Sequence, residues 1–228
     1  MQNAENSVDR LYEQLRQMAA DFEFKPEERI NESVLSKQLG ASRTPLREAL
    51  NRLVAEGFLT VQGGKGFYCR PLSPERILHL YEARVAIECE ALYCSIQRAS
   101  DDQIADVVRY MDEIETEYVT CRDPLRLLEL DEEFHTRVAE LSENPEFVRI
   151  LTNINGRIRF VRMIDLTELL KSPAAAHSLS AHRGIIEALQ NRDAPAAVSA
   201  MRAHIQRRRQ QATEAVRRAF AQMYVSDE

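Results

Sequence analysis

The sequence predicts a mainly α-helical protein with two parts: an N-terminal winged helix-turn-helix and a C-terminal antiparallel all-helical bundle. Three observations lead there. Two short helical stretches flank a three-residue turn, Gly40-Ala41-Ser42, and a glycine-tipped hairpin follows them. A Pro71-Leu72-Ser73-Pro74 break then interrupts the chain. Beyond it, apolar residues recur at helical spacing to the end, punctuated only by short Ser, Asp, Asn and Pro signals. The expected domains are therefore 1–72 and 73–228.

Each element has its own reason. Val8, Leu11, Leu15, Met18 and Ala19 place a first helix between Ser7 and Ala20. Lys25-Pro26-Glu27-Glu28 reads as a loop. A second helix starts at Ile30-Asn31-Glu32, with Asn31 as N-cap and Ile30 stapling against Leu35, and stops at Gly40. A third, capped by Ser42 or Thr44 and tolerating Pro45 in its first turn, runs to Glu56 and ends at Gly57. Its apolar stripe is Leu46, Ala49, Leu50, Leu53 and Val54. Phe58–Gln62 and Gly66–Arg70 are two short strands around Gly63-Gly64-Lys65. The second half is predicted as helices 75–98, 101–120, 124–142, 145–170, 174–191 and 194–222.

Bulk properties narrow the function. No apolar run is long enough for a membrane span, and the polar N-terminus shows no signal-peptide core, so the expectation is a cytoplasmic protein with no membrane partner. The four cysteines, Cys69, Cys89, Cys94 and Cys121, lack metal-ligand or redox spacing and are read as packing residues. Net charge is −6, but its distribution matters more than its sum. Residues 1–72 carry ten basic and ten acidic side chains, and from Lys37 to Arg70 there are six basic against two acidic. A locally basic face on a neutral module suits double-stranded DNA.

The third helix is two-faced. Opposite its apolar stripe, Arg43, Arg47 and Asn51 follow one another at i, i+4 and i+8. Arginine can bond guanine O6 and N7, and asparagine can pair with adenine N6 and N7. Arg43, Thr44 and Arg47 stand nearest the helix N-terminus, which enters the major groove first. Gly64 lets the wing backbone approach the duplex, and Lys65 can meet a phosphate. The candidate DNA-binding residues are thus Arg43, Thr44, Arg47, Asn51, Gly64 and Lys65.

In the helical half, Asp131 and His135 project from one helix face at i, i+4. His182 and His204 lie 11 residues before and 11 after the turn at Asp193, so an antiparallel hairpin sets them level. One carboxylate and three imidazoles suit a divalent metal ion, zinc first, with nickel, manganese, cobalt or iron as alternatives. His79 and His177 are assigned to structure or surface. A helical metalloenzyme is the competing class. It fails on spacing: Glu132 and His135 form one Glu-x-x-His unit, but Leu179 and Met201 stand three residues before His182 and His204. No phosphate loop, nucleophile elbow or Cys–His dyad is present. The chain is therefore expected not to be an enzyme.

The run Leu39-Gly40-Ala41-Ser42-Arg43-Thr44-Pro45-Leu46-Arg47-Glu48-Ala49-Leu50-Asn51-Arg52-Leu53, then Glu56-Gly57-Phe58 and Gly63-Gly64-Lys65-Gly66-Phe67, resembles the DNA-binding domain of the GntR family. That likeness implies operator contacts from Arg43, Thr44, Arg47 and the wing glycine. Ser33 departs from it, since the best-studied branch carries arginine there. Asp131-Glu132-Glu133-Phe134-His135, Ala181-His182-Arg183 and Ala200-Met201-Arg202-Ala203-His204-Ile205 resemble the FCD ligand-binding domain of one large GntR branch. The resemblance implies a homodimeric repressor of a palindromic operator, controlled by a small organic acid at the metal. It places an effector-binding arginine at Arg84. The same residue can instead form a helix pair with Glu88. Arg157 and Arg162 are further candidates. A regulator responding to the metal itself is the alternative function.

Overall fold

The structure, a computed structural model, describes the backbone of residues 2–64, 66–171 and 176–225, and the side chains of 8–64, 66–171 and 180–224. Lys65 and the side chain of His177 lie outside these. The chain divides into two compact units, Met1–Leu72 and Ser73–Glu228.

The first unit contains α1 (Gln2–Ala20), α2 (Glu32–Gln38), α3 (Arg43–Ala55), β1 (Leu59–Val61) and β2 (Phe67–Cys69). Leu11, Leu15 and Ala19 of α1 meet Leu46, Leu50 and Leu53 of α3 and Phe58, all in one buried cluster. Removing this apolar surface from water is the main force that sets α3 in place and turns its opposite side outward. Asn31 caps α2 as expected, its side chain accepting from the Ser33 and Val34 amides. Gly40, with φ +60°, ends the helix in a left-handed turn that favours glycine. β1 and β2 pair antiparallel, Thr60 opposite Tyr68.

One feature differs from the sequence reading. Residues 28–30 are not only a loop and helix start: they form a third edge on the wing. The Ile30 amide donates to the Phe67 carbonyl at 2.8 Å, and the Cys69 amide to the Glu28 carbonyl at 2.9 Å. Arg29 lies across from Tyr68. Ile30 is buried beside Phe67 in the same cluster. The strands are also shorter than expected, because pairing stops one residue inside each predicted end.

The second unit contains α4 (Pro74–Arg98), α5 (Asp101–Thr120), α6 (Pro124–Glu140), α7 (Pro145–Leu170), α8 (Ala176–Gln190) and α9 (Ala194–Val225). Local chemistry sets most boundaries. Ser73, Asp123 and Asn144 cap α4, α6 and α7, each followed by proline at the first helical position. Ser100 and Gln103 form a reciprocal capping box on α5. α6 stops two residues short of expectation: the Ser142 and Glu143 amides turn back to Ala139 and Glu140, and Glu143 has φ +55°. Arg192 closes the open end of α4, donating to the Ile96 and Ala99 carbonyls at 2.8 Å each. α4 and α9 pack together, as do α6 with α7 and α8 with α9. α4 also touches α6 and α7, so the bundle has an interior that several helices share. No described helix is long and apolar enough to cross a membrane.

Candidate functional site

Among the described residues, the bundle interior holds one charged cluster besides a few buried polar side chains such as Ser95, Ser142 and Asn155. Asp131 and His135 enter it from α6, one turn apart. His182 enters from α8, whose next residue, Arg183, points the other way and donates to Asp112 and Glu115 of α5 at 2.6 Å each. His204 enters from α9. One ligand atom from each of these four residues lies within 4.8 Å of all the others, and all four side chains are buried. His204 Nε2 is 3.3 Å from both His135 Nε2 and His182 Nε2. His182 Nε2 is 3.3 Å from Asp131 Oδ1, and His135 Nε2 is 3.6 Å from Asp131 Oδ2.

Other helices hold this group in place. From α4, Glu88 accepts a hydrogen bond from His135 Nδ1 and another from Arg84 Nε. With its proton on Nδ1, His135 turns a bare lone pair on Nε2 toward the cluster, as a metal ligand requires. From α7, Arg162 donates to Asp131 and, at 3.1 Å, to Glu132. From α5, the Tyr118 hydroxyl donates to Asp131 Oδ1 at 3.4 Å. His182 Nδ1 has no hydrogen-bond partner among the described residues.

Electrostatics favours ionised carboxylates at Asp131 and Glu88 and neutral imidazoles at His182 and His204. Burial pushes Asp131 up, but the Arg162 guanidinium and His135 outweigh it and hold the carboxyl well below the usual range. Glu88 is likewise pushed up by burial and pulled further down by Arg84 and His135, to about 2. Burial lowers His182 against the opposing pull of Asp131. Burial lowers His204 strongly, with His182 and His135 adding to it. At 3.3 Å, two facing imidazole nitrogens are held together either by a proton on one of them or by a cation between them. An ion about 2.0–2.2 Å from each donor would span these separations. The donor set fits a divalent cation on that ground.

Arg84 is 2% exposed, its Nε engaged by Glu88 and its second terminal nitrogen, Nη2, without a hydrogen-bond partner among the described residues. The helix pair with Glu88 thus forms, and one terminal nitrogen stays uncommitted among the described residues. Arg157 is half-buried, and burial followed by nearby Arg76 lowers its pKa. Arg162, not Arg157, is the α7 arginine that reaches the cluster. His79 is exposed.

On the first unit, Arg43, Thr44, Arg47 and Asn51 are all exposed on α3. Arg47 Nη1 donates to both Glu32 carboxylate oxygens, at 3.1 and 3.0 Å, and its guanidinium lies 5.4 Å from the Phe67 ring centre. A cleft of about 570 Å³ between α2 and α3 is lined by Arg29, Asn31, Glu32, Ser33, Arg43 and Arg47, together with Ile30. Ser42, the N-cap of α3, makes no side-chain hydrogen bond to the first-turn amides. Gly64 is exposed with φ +69° and open space where a side chain would be.

Comparison with known proteins places both units. Residues 7–69 match the family of bacterial regulatory proteins named gntR, and residues 79–207 match the FCD domain. The chain belongs to the GntR family. Within it, the Nta operon transcriptional regulator of Aminobacter aminovorans is 39% identical over 208 residues, 91% of this chain and 95% of that protein. The uncharacterized HTH-type transcriptional regulator YdhC of Bacillus subtilis is 29% identical over 194 residues, 85% of each. A putative GntR transcriptional regulator from Rhodococcus sp. RHA1 shares the fold, with TM-score 0.69 at 21% identity, covering 91% of this chain and 98% of that one. This GntR-family chain is therefore a transcriptional regulator with a winged helix-turn-helix and an FCD domain.

Three features of this regulator's clusters escaped sequence reasoning: the bond of Glu88 to His135, beyond its foreseen pair with Arg84, and the places of Tyr118 and Arg29. Glu88 had a legible signal. It lies with Arg84 on the buried stripe of α4, among Ile77, Tyr81, Val85 and Leu92. A charged pair on an otherwise apolar stripe must find partners inside the fold. Tyr118 and Arg29 carried no comparable local signal.

Proposed function

We propose that this regulator is a repressor whose operator affinity is set by a small organic acid held at a divalent-metal site in the helical unit. Asp131, His135, His182 and His204 hold the ion, zinc first, with nickel, manganese, cobalt or iron sharing the donor set. The observation that carries the reading is the convergence of these four buried side chains within 4.8 Å. A bound divalent ion supplies positive charge and Lewis acidity for a carboxylate. Arg84 adds a guanidinium donor through Nη2, and Arg157 is a further candidate contact for the acid. Glu88 fixes His135, and Arg162 keeps Asp131 ionised.

In the first unit, Arg43, Thr44, Arg47 and Asn51 read base edges and phosphates in the major groove. Gly64 and Lys65 bring the wing to the backbone. The N-terminal amides of α3 favour a phosphate. Two copies joined through their helical units would match a palindromic operator. Because α4 begins at Pro74, just past the unit boundary at Leu72, Arg84 and Glu88 lie on the first helix that follows the DNA-reading unit in the chain.

Elemental analysis of the wild type beside Asp131→Ala tests the site. Near-stoichiometric metal in the wild type and none in the variant is expected. Organic acids are then screened by thermal shift with and without metal. Absence of metal in the wild type after reconstitution would remove the metal and leave the DNA-reading assignment standing.

A second reading takes the metal as the signal. It is favoured by the engagement of Arg84 with Glu88, which satisfies much of that guanidinium without any organic ligand. Loss of operator binding on metal removal alone, with no response to any acid, would select it.

A further inference from the structure

Ahead of α2 stands a guanidinium that neither the recognition helix nor the wing tip accounts for. Arg29 occupies the edge segment that pairs with β2 opposite Tyr68. Its backbone is pinned on both sides by the Glu28–Cys69 and Ile30–Phe67 hydrogen bonds, at 2.9 and 2.8 Å. Its side chain is exposed. A Cβ on Gly66 would stand 3.4 Å from Arg29 Nε and 3.6 Å from Nη2. The guanidinium thus lies along the wing, within contact distance of Gly66.

The cleft brings Arg29 to the same face as Arg43 and Arg47. The three charges are not equivalent. Arg47 is neutralised by Glu32. Neither Arg29 nor Arg43 has an ion-pair partner among the described residues, and the adjacent Glu28 carboxylate accepts from the Lys25 amide. Two guanidiniums without a counter-charge on one cleft gain when a polyanion lies across both, because each displaces a condensed counterion.

We propose that Arg29 is a DNA-backbone contact that takes a phosphate oxygen beside the groove entered by α3. This rests on the DNA-reading role proposed for α3. Arg29 lies off the recognition helix, on an edge fixed by main-chain hydrogen bonds. That place suits a register-setting phosphate contact rather than a base contact. Its contribution is the same for every sequence.

The experiment measures binding of the full chain to a random-sequence duplex as salt is raised. For Arg29→Gln, the slope of log K against log salt should shrink by about 0.9 for each bound DNA-reading unit. Affinity should fall by a similar factor on every duplex, and Arg29→Lys should restore the slope. Equal slopes for wild type and Arg29→Gln, whatever happens to the melting temperature, overturn the assignment. A loss confined to one duplex sequence overturns it too, making Arg29 a base reader. If the wild type fails to bind duplex DNA even at low salt, the α3 reading itself falls, an outcome distinct from a normal wild type with an unchanged variant.

Discussion

Glu88 touches none of the atoms that converge in the helical unit, yet it decides how one of them presents itself. Its carboxylate takes the proton-bearing side of His135 and is held in turn by Arg84. Outer partners of this kind typically contribute 10–100-fold to metal affinity. Glu88→Gln should therefore weaken metal binding by about that factor while leaving the saturating stoichiometry unchanged. Competition with a chromophoric chelator measures it, and an unaltered affinity would reduce Glu88 to a packing residue. In the other unit, Arg47→Ala should cost about 1–3 kcal/mol of specific operator affinity and leave metal content alone. Operator titration beside elemental analysis checks both halves. Asp131, His135, His182 and His204 were legible because each obeys a local rule: helical spacing for the first pair, equal distance from a turn for the second. Arg162 and Tyr118 obey no such rule toward Asp131. They stand 31 and 13 residues away in sequence, and only the packing of α7 and α5 brings them there.

Among the elements, the helices were the readable part. Their ends carry chemistry that acts within four residues: Asn31, Ser100, Asp123 and Asn144 cap where the sequence suggested a start, and Ser73 caps one residue ahead of it. Ser100→Ala removes one half of the α5 box and should lower stability by about 0.5–2 kcal/mol in denaturant titration. A change within a few tenths would show that water satisfies the exposed amides equally well. Leu50→Ala empties a fully buried position between α3 and α1 and should cost about 2–5 kcal/mol. The edge segment 28–30 was the element that reading missed. It is three residues long, shows no alternation, and owes its form to Phe67 and Cys69, nearly forty residues on. Pairing over that distance leaves no periodic trace in a short segment.

For the whole molecule, the buried cluster ties stability to pH. His182 and His204 titrate below their ordinary range in the folded chain, while in the unfolded chain they titrate near 6.5. Below about pH 6.5 the unfolded chain binds more protons than the folded one, so metal-free protein should lose stability on acidification. Asp131 and Glu88 act in the same direction at lower pH. Their folded values are depressed, so their contribution is present above the usual carboxylate range and lost as pH falls through those values. Denaturation midpoints of chelator-treated protein across this range provide the check, and a midpoint that rises on acidification would contradict it. If acid and operator compete as proposed, each must weaken the other by the same factor.

The order in which the helices occur along the chain has a consequence for the life of the molecule. Every core residue of the DNA-reading unit falls within Met1–Leu72, the part a ribosome delivers first. His204 sits on α9, 69 residues after His135. A growing chain can therefore complete the winged helix before it completes the four-donor cluster. Until α9 joins the bundle, no arrangement of the earlier helices can assemble the four donors. Whatever the cluster binds is thus held only by chains that include α9, and a message cut short in its last third would encode the winged helix without the cluster.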